Sequence, residues 1–310
     1  MNRSITLTGK DRPELFRSTL DSLLSNDLEG WNFVIRVEPG PQSHAFAEIV
    51  AERLSGHRVD FAVNDRVMGI RDNPLATIST AFAAGSSLNL CLEEDLVLAP
   101  DATRMALWFH ANHRPHWLCL SLLAGPCASA GMISDPRYPE MLFESRSFNS
   151  LGFAVRREEW AKLIEPAWAP KARQRWKGFA GWRYHWGWDW SVYGVLAIDQ
   201  TLRTVQPALA RANHTGRTGQ FSNAQFHDLA FGDLPLAQSG VEMFTLIPAG
   251  ELPRDIRVQM QLHTEMTDMR LHLEAVAREA QAGFVQRMKR RLFGARRSKR
   301  PTLQPVGHQL

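Results

Sequence analysis

Residues Leu88-Asn89-Leu90-Cys91-Leu92 form a short, mostly apolar run that ends abruptly in Glu93-Glu94-Asp95. Leu96-Val97-Leu98-Ala99 is apolar again, and Pro100-Asp101 then opens a helix. A run of this length without clean polar alternation marks a strand buried on both faces, the parallel kind. Carboxylates at the C-terminal end of such a strand sit where open α/β sheets bind their ligands. Three adjacent acids repel one another and call for a cation. Their hard oxygens suit Mg²⁺ or Mn²⁺, held by one or two carboxylates plus a substrate's phosphates. The plainer reading is a solvated acidic turn.

The surrounding pattern supplies the sheet. Strands are expected at residues 4–8, 32–37, 58–63 and 88–92. Helices are expected at 13–24, 43–54, from Pro74 onward, and at 102–111. Pro13 suits a first helical turn. Residues 64–73 read as a polar loop. Further strands are expected at 117–122, 151–155 and 203–205, with helices near 157–163 and 191–198, while 125–138 reads as irregular loop. Strands alternating with helices across short loops predict a three-layer α/β domain with a mostly parallel, Rossmann-like sheet. Residues 1–250 form that domain, with a nucleotide-binding half (1–125) and an acceptor or catalytic half (126–250).

Residues 251–310 read as a C-terminal helix and basic tail. Leu262, Met266, Met269, Leu273, Val276 and Ala280 recur at steps of four and three, the spacing of a helix-packing seam. Phe284, Met288 and Leu292 continue it beside eight Lys and Arg residues between Arg287 and Arg300 with no acid among them. The formal charge of +4 therefore belongs mostly to this tail. The helix is expected to pack on the body, to form a homo-oligomer, or to lie on an anionic membrane surface.

No apolar run of about 18 residues predicts a membrane-spanning helix. The chain enters its first strand directly, which argues against a leader peptide. Cys91, Cys119 and Cys127 lack metal-ligand spacing, and two of them lie in apolar runs, as expected of reduced cysteines in a cytoplasmic protein. Seven of the ten tryptophans fall between Trp160 and Trp190, interleaved with Lys171, Arg173, Arg175, Lys177 and Arg183. Indole faces stack on sugar rings, whereas Trp160 and Trp168 also suit a core. Nucleic-acid binding would need a broader basic surface than the body offers, so no nucleic-acid partner is expected.

Several segments, taken in order, resemble one family. Thr6-Leu7-Thr8-Gly9-Lys10-Asp11-Arg12-Pro13-Glu14-Leu15 resembles the opening of nucleotide-sugar glycosyltransferases of the GT-A fold. Leu92 through Asp101 is similar to the acidic metal-binding segment of the N-acetylglucosaminyltransferases that initiate complex N-glycans (family 13) and of their bacterial relatives in family 2. There the triplet reads Glu-Asp-Asp before an apolar pair and Ala-Pro-Asp, so Glu94 departs from the pattern. Gly152 through Trp160 resembles their strand–helix element. Trp188-Asp189-Trp190 resembles their catalytic segment, and the stretch from Arg211 to Phe221 resembles the family's Arg- and Gly-containing segment C-terminal to it.

The resemblance implies a metal-dependent, inverting enzyme that moves a sugar from a nucleotide-sugar, a UDP-sugar by preference, to a hydroxyl on a glycan or glycolipid. Asp95 would ligate Mn²⁺ or Mg²⁺, with His214 as a further ligand or diphosphate donor, and Glu93 and Glu94 would contact sugar, ribose or metal-bound water. Asp189 would be the general base, its carboxyl raised by flanking indoles; the plainer role is a cap on the helix near Ser191. Trp186, Trp188 and Trp190 would hold the acceptor. Arg12, Glu38, Asp65 and Arg71 would line the nucleotide, and Arg211 and Arg217 are candidate diphosphate clamps. A site at the cytoplasmic face of a membrane would suit an enzyme of polysaccharide biosynthesis. The alternatives are a sugar-phosphate nucleotidyltransferase, for which Gly9-Lys10-Asp11-Arg12 is a poor loop, and a non-catalytic glycan-binding scaffold.

Overall fold

The computed structural model describes residues 2–123, 136–168, 189–219, 223–232, 234–258, 260–261 and 264–265, with the side chains of residues 189–191 and 197–198 excepted. The first half alternates strictly: β1 (Arg3–Gly9), α1 (Pro13–Leu23), β2 (Trp31–Val37), α2 (Ser43–Arg53), β3 (Val59–Val63), α3 (Gly69–Ala83), β4 (Leu88–Glu93), β5 (Leu96–Leu98) and α4 (Ala102–Ala111). The second half holds β6 (Trp117–Ser121), β7 (Met141–Ser145) and β8 (Phe153–Arg156). Next come α5 (Arg157–Glu159), a π-helical turn (Trp160–Ile164) and α6 (Glu165–Trp168). It ends with α7 (Asp189–Ile198), β9 (Arg203–Pro207), β10 (Ala212–His214), α8 (Ala224–Phe231) and β11 (Thr245–Leu246).

Nine of these strands form one sheet in the order β11-β7-β9-β6-β8-β4-β1-β2-β3. β3, β2, β1 and β4 run parallel to one another, β8 is antiparallel to both β4 and β6, and β6 is parallel to β9. The expected mixed α/β layering with a mostly parallel sheet is what the structure shows. The chain winds outward from β1 through β2 to β3, then returns to place β4 on the other side of β1. This reversal opens a crevice between the C-terminal ends of β1 and β4.

Helices cover both faces. Ile5, Leu7, Leu88, Leu90 and Leu92 point to one face, under Phe16 and Leu20 of α1, Phe46 and Ile49 of α2, and Met105 and Phe109 of α4. Cys91 and Val155 point to the other, with Ile78 and Phe82 of α3, Trp160, Trp168, and Val192 of α7. The successive residues of each strand thus bury against different helices, the cause of the missing polar alternation. Trp160 and Trp168 are core, their rings 5.6 Å apart. Cys91 and Cys119 are buried free thiols whose pKa burial pushes up. Cys127 lies outside the described residues.

Several local features differ from, or add to, what the sequence pattern leads one to expect. α3 begins at Gly69, more than a turn before Pro74, because both oxygens of Glu38 accept amides there: Met68 N to Oε2 and Gly69 N to Oε1, each at 2.8 Å. A carboxylate from the end of β2 thus satisfies N–H groups that a helix start leaves orphaned. α4 starts at Ala102 as expected, yet the Asp101 side chain makes no cap and turns inward. β7 lies beyond the expected irregular stretch, and β5 and β10 are three-residue strands that pair only with each other. α7 includes Asp189 in its first turn. Residues 252 and 256 pack against Tyr138, Met141 and Phe143, so packing continues past residue 250. The C-terminal seam and basic cluster lie outside the described residues, among which no helix is long and apolar enough to cross a membrane.

Candidate functional site

The acidic triplet falls at the crevice where the winding reverses. Glu93 ends β4 opposite Thr8 of β1, and Glu94 and Asp95 make the turn into β5. Polar contacts from three directions clamp that turn. Thr19 of α1 donates its hydroxyl to Glu94 O at 2.8 Å and accepts Leu96 N at 3.0 Å. Thr215 donates its amide and its hydroxyl to Asp95 O at 2.8 and 3.0 Å. β10 pairs antiparallel with β5, setting His214 against Leu96. Two halves of the chain therefore build one site.

The side chains converge on a single cation. Glu94 Oε2 accepts the Lys10 amide at 2.6 Å, and its Oε1 accepts Arg12 Nε at 2.7 Å. Arg12 Nη2 lies 2.8 Å from Asp95 Oδ2, and His214 Nε2 lies 3.0 Å from the same oxygen. Asp95 Oδ1 is buried with no hydrogen-bond partner, as is His214 Nδ1. Gly216 closes one side so tightly that a Cβ there would lie 2.5 Å from Asp95 Oδ2. Burial tends to raise the Asp95 carboxyl, but the bond and charge of His214 and the charge of Arg12 outweigh it, so its pKa is lowered. At Glu94 burial wins over the Lys10 amide and Arg12, and the pKa is raised. Burial also opposes the Arg12 charge, but the two acids hold its pKa above the ordinary value.

Beside this cluster lies a cavity of about 880 Å³, lined by Thr8 to Arg12, Glu38, Gln42, Val67, Gly69, Ile70, Asn73, Pro74, Glu93, Glu94, Thr218 and Gly219. Arg12, Glu93, Glu94 and Glu38 are thus gathered around one space, and Asp95 and His214 sit directly behind Arg12. Glu38 lines the cavity while its carboxylate is engaged on α3. Lys10, Gln42, Asn73, Val67 and Ile70 were not singled out from the sequence. Val67 and Ile70 are exposed apolar side chains on the cavity wall, a signal that only the fold reveals.

Other expected site residues lie apart. Asp65 is exposed in the loop after β3, and Arg71 is in the first turn of α3, where Trp168 Nε1 donates to its carbonyl. Arg217 is exposed and paired with Asp228 at 2.6 Å, next to Thr218 on the cavity wall. Arg211 is fully buried, bonded to Asp101 Oδ1 at 2.7 Å, to Leu209 O at 2.6 Å and to Pro139 O. With its donors spent on the interior, Arg211 is a staple between segments, and the geometry offers no diphosphate clamp there. The backbone of Asp189 and Trp190 starts α7, but their side chains, with Trp186 and Trp188, lie outside the described residues.

The residues fit a hard divalent ion in chemistry. They supply an unpartnered buried carboxylate oxygen, an imidazole and two further carboxylates, although no group of three such donors is gathered among the described residues. Mg²⁺-type sites keep few protein ligands and complete their shell with phosphate and water.

No protein-family model matches the chain, and no curated protein matches it in sequence. Among solved structures it is similar to the mannosyltransferase PcManGT from Pyrobaculum calidifontis in complex with GDP-Man and Mn²⁺. That match has 12% identity and a TM-score of 0.42, over 66% of this chain and 54% of that one. It is also similar to S. aureus TarS 1–349 in complex with UDP-GlcNAc, at 12% identity and a TM-score of 0.37, over 50% and 45% of the two chains. GlyE of Streptococcus pneumoniae TIGR4 matches at 16% identity and a TM-score of 0.38, over 64% and 44%. The chain thus spans about half the length of these proteins. Each likeness is partial, and none bears on the donor, metal or acceptor of this chain.

Proposed function

We propose that this chain is a metal-dependent, inverting glycosyltransferase that moves a sugar from a nucleotide-sugar, a UDP-sugar by the resemblance of its motifs, to a hydroxyl of a glycan or glycolipid. One observation carries the reading: Arg12, Glu94, Asp95 and His214 meet at the reversal point of the sheet, beside a cavity of about 880 Å³. Nucleotides bind open α/β sheets at such a point.

In this reading the donor lies in the cavity with its diphosphate toward Arg12 and Lys10. A divalent ion held by Asp95 with His214 would supply further neutralisation of the leaving diphosphate. Lys10 and Arg12 both line the cavity, so two cations face the charge that develops as the bond to the anomeric carbon breaks. The acceptor oxygen attacks that carbon from the opposite side and passes its proton to Asp189, at the start of α7. A single displacement inverts the anomeric configuration and needs no covalent nucleophile. Trp186, Trp188 and Trp190 would stack on the acceptor's sugar rings.

The test is donor hydrolysis: protein with Mn²⁺ and UDP-, GDP-, CDP- and dTDP-sugars, following nucleoside diphosphate release beside Asp95→Ala. Slow, metal-dependent release from one donor, lost in the variant, is the expected result. Pyrophosphate release from NTP and sugar-1-phosphate would instead favour a nucleotidyltransferase. Silence in both assays, without metal-dependent nucleotide binding, would leave a glycan-binding scaffold.

A further inference from the structure

Arg12 stands between the cavity and the carboxylate–imidazole pair. With Glu93 and Glu94 it lines the cavity wall, whereas Asp95 and His214 are not wall residues. Its Nε holds Glu94 Oε1 at 2.7 Å and its Nη2 holds Asp95 Oδ2 at 2.8 Å. The same Oδ2 is 3.0 Å from His214 Nε2. Asp95 Oδ1 is sealed from solvent. Gly216 packs against the same pair, since a Cβ there would lie 2.7 Å from Arg12 Nη1 and 2.5 Å from Asp95 Oδ2. An ion entering from the cavity therefore meets the guanidinium before it meets Asp95.

We propose that Arg12 is a built-in counter-ion that keeps a divalent cation off Asp95 until a diphosphate arrives, so that metal and nucleotide bind as obligate partners. The inference rests on the glycosyltransferase reading for the identity of both ligands. A guanidinium and a divalent ion compete for the same oxygen, and at a few ångströms they repel each other. A diphosphate offers the guanidinium a bidentate acceptor matched to its fork, so Arg12 can leave the two acids without losing charge-assisted bonds. Glu94 stays anchored meanwhile, because the Lys10 amide holds its other oxygen at 2.6 Å. Linkage then requires that nucleotide tighten metal by the factor by which metal tightens nucleotide.

The experiment measures Mn²⁺ affinity of the full chain by calorimetry and by the free-ion paramagnetic resonance signal. It is run without nucleotide and with saturating UDP or GDP, correcting for the nucleotide's own affinity for the ion. Wild type should bind Mn²⁺ alone at least tenfold more weakly than with nucleotide. Arg12→Ala should bind Mn²⁺ alone at least tenfold more tightly than wild type, and Arg12→Gln, which keeps donors but not charge, should do the same. An unchanged affinity in both variants overturns the proposal. So does a wild type whose Mn²⁺ affinity ignores nucleotide, a result that needs no variant. Failure of every form to bind Mn²⁺ with nucleotide present, or full Mn²⁺ affinity in Asp95→Asn, overturns the metal-dependent reading itself.

Discussion

Two arginine–aspartate pairs bracket the segment that runs from the end of β4 to the start of α4, and they have been put to opposite uses. Arg211 and Asp101 have fully buried side chains, and every partner is protein: Asp101 Oδ1 takes Arg211 Nε at 2.7 Å, and its Oδ2 accepts Val241 N at 3.0 Å. The guanidinium also stands 5.2 Å from the centre of the Phe244 ring. Burial lowers the Arg211 pKa, and the single acid opposite does not fully offset it. Arg12 is about a third exposed, faces two acids and a cavity, and has its pKa raised by them. A matched and sealed pair can only hold segments together. A pair with a surplus carboxylate, an unpartnered oxygen and an open side is able to exchange its cation.

The largest expected effect breaks the sealed pair. Arg211→Ala leaves Asp101 buried and uncompensated and should cost about 3–5 kcal/mol in urea unfolding. Arg12→Ala, whose acids keep other partners and reach the cavity, should cost only about 1–3 kcal/mol. Equal losses would erase the distinction between the pairs. Next, Asp95→Ala should reduce metal-dependent donor hydrolysis by about 10²–10³-fold, the scale of removing one fixed electrostatic partner. A hydrolysis rate within a few-fold of wild type would place the chemistry elsewhere.

A smaller effect probes how tightly the open pair is enclosed. Gly216→Ala adds a methyl 2.5 Å from Asp95 Oδ2 and should cost about 1–3 kcal/mol while weakening Mn²⁺ binding. Unchanged stability and metal affinity would show that the Arg12 side has slack. The smallest concerns a third acid with looser partners. Glu159 has His113 Nε2 at 3.3 Å and Arg156 Nε at 3.8 Å, and burial raises its pKa above the ordinary 4.5 although the charge of Arg156 lowers it. Its contribution to stability is therefore complete below pH 4.5 and is lost as pH rises through the raised folded value. Glu159→Gln should lack that decline, so wild type should fall relative to the variant as pH climbs from 4 to 7 in urea titrations. A constant gap would mean that distant cations serve this acid as well as close ones serve Asp95.

The elements from β1 to α4 were largely legible because each carries its own signal: apolar runs of strand length, Pro13 at a helix start, and helical spacing on α1. α3 was misplaced because its start depends on Glu38, which arrives from another strand and leaves no mark near Gly69. β5 and β10 escaped notice because three residues carry no period, and their partners lie more than a hundred positions apart. Arg211 and Arg217 looked alike in a polar, Gly-punctuated stretch. One turned out to be buried and the other exposed, a difference of burial that neighbouring residues do not encode.

What this sequence determined alone was the layered α/β class and the acidic end of its central strand, because hydrophobic period and strand-end chemistry are local properties. Only the tertiary structure decided which charges share a site. It set Arg12 across Glu94 and Asp95, brought His214 to Asp95 over a separation of 119 residues, and spent Arg211 on the core. Charge pairing depends on distance and burial, and both are fixed only when the sheet winds back and the helices close over it.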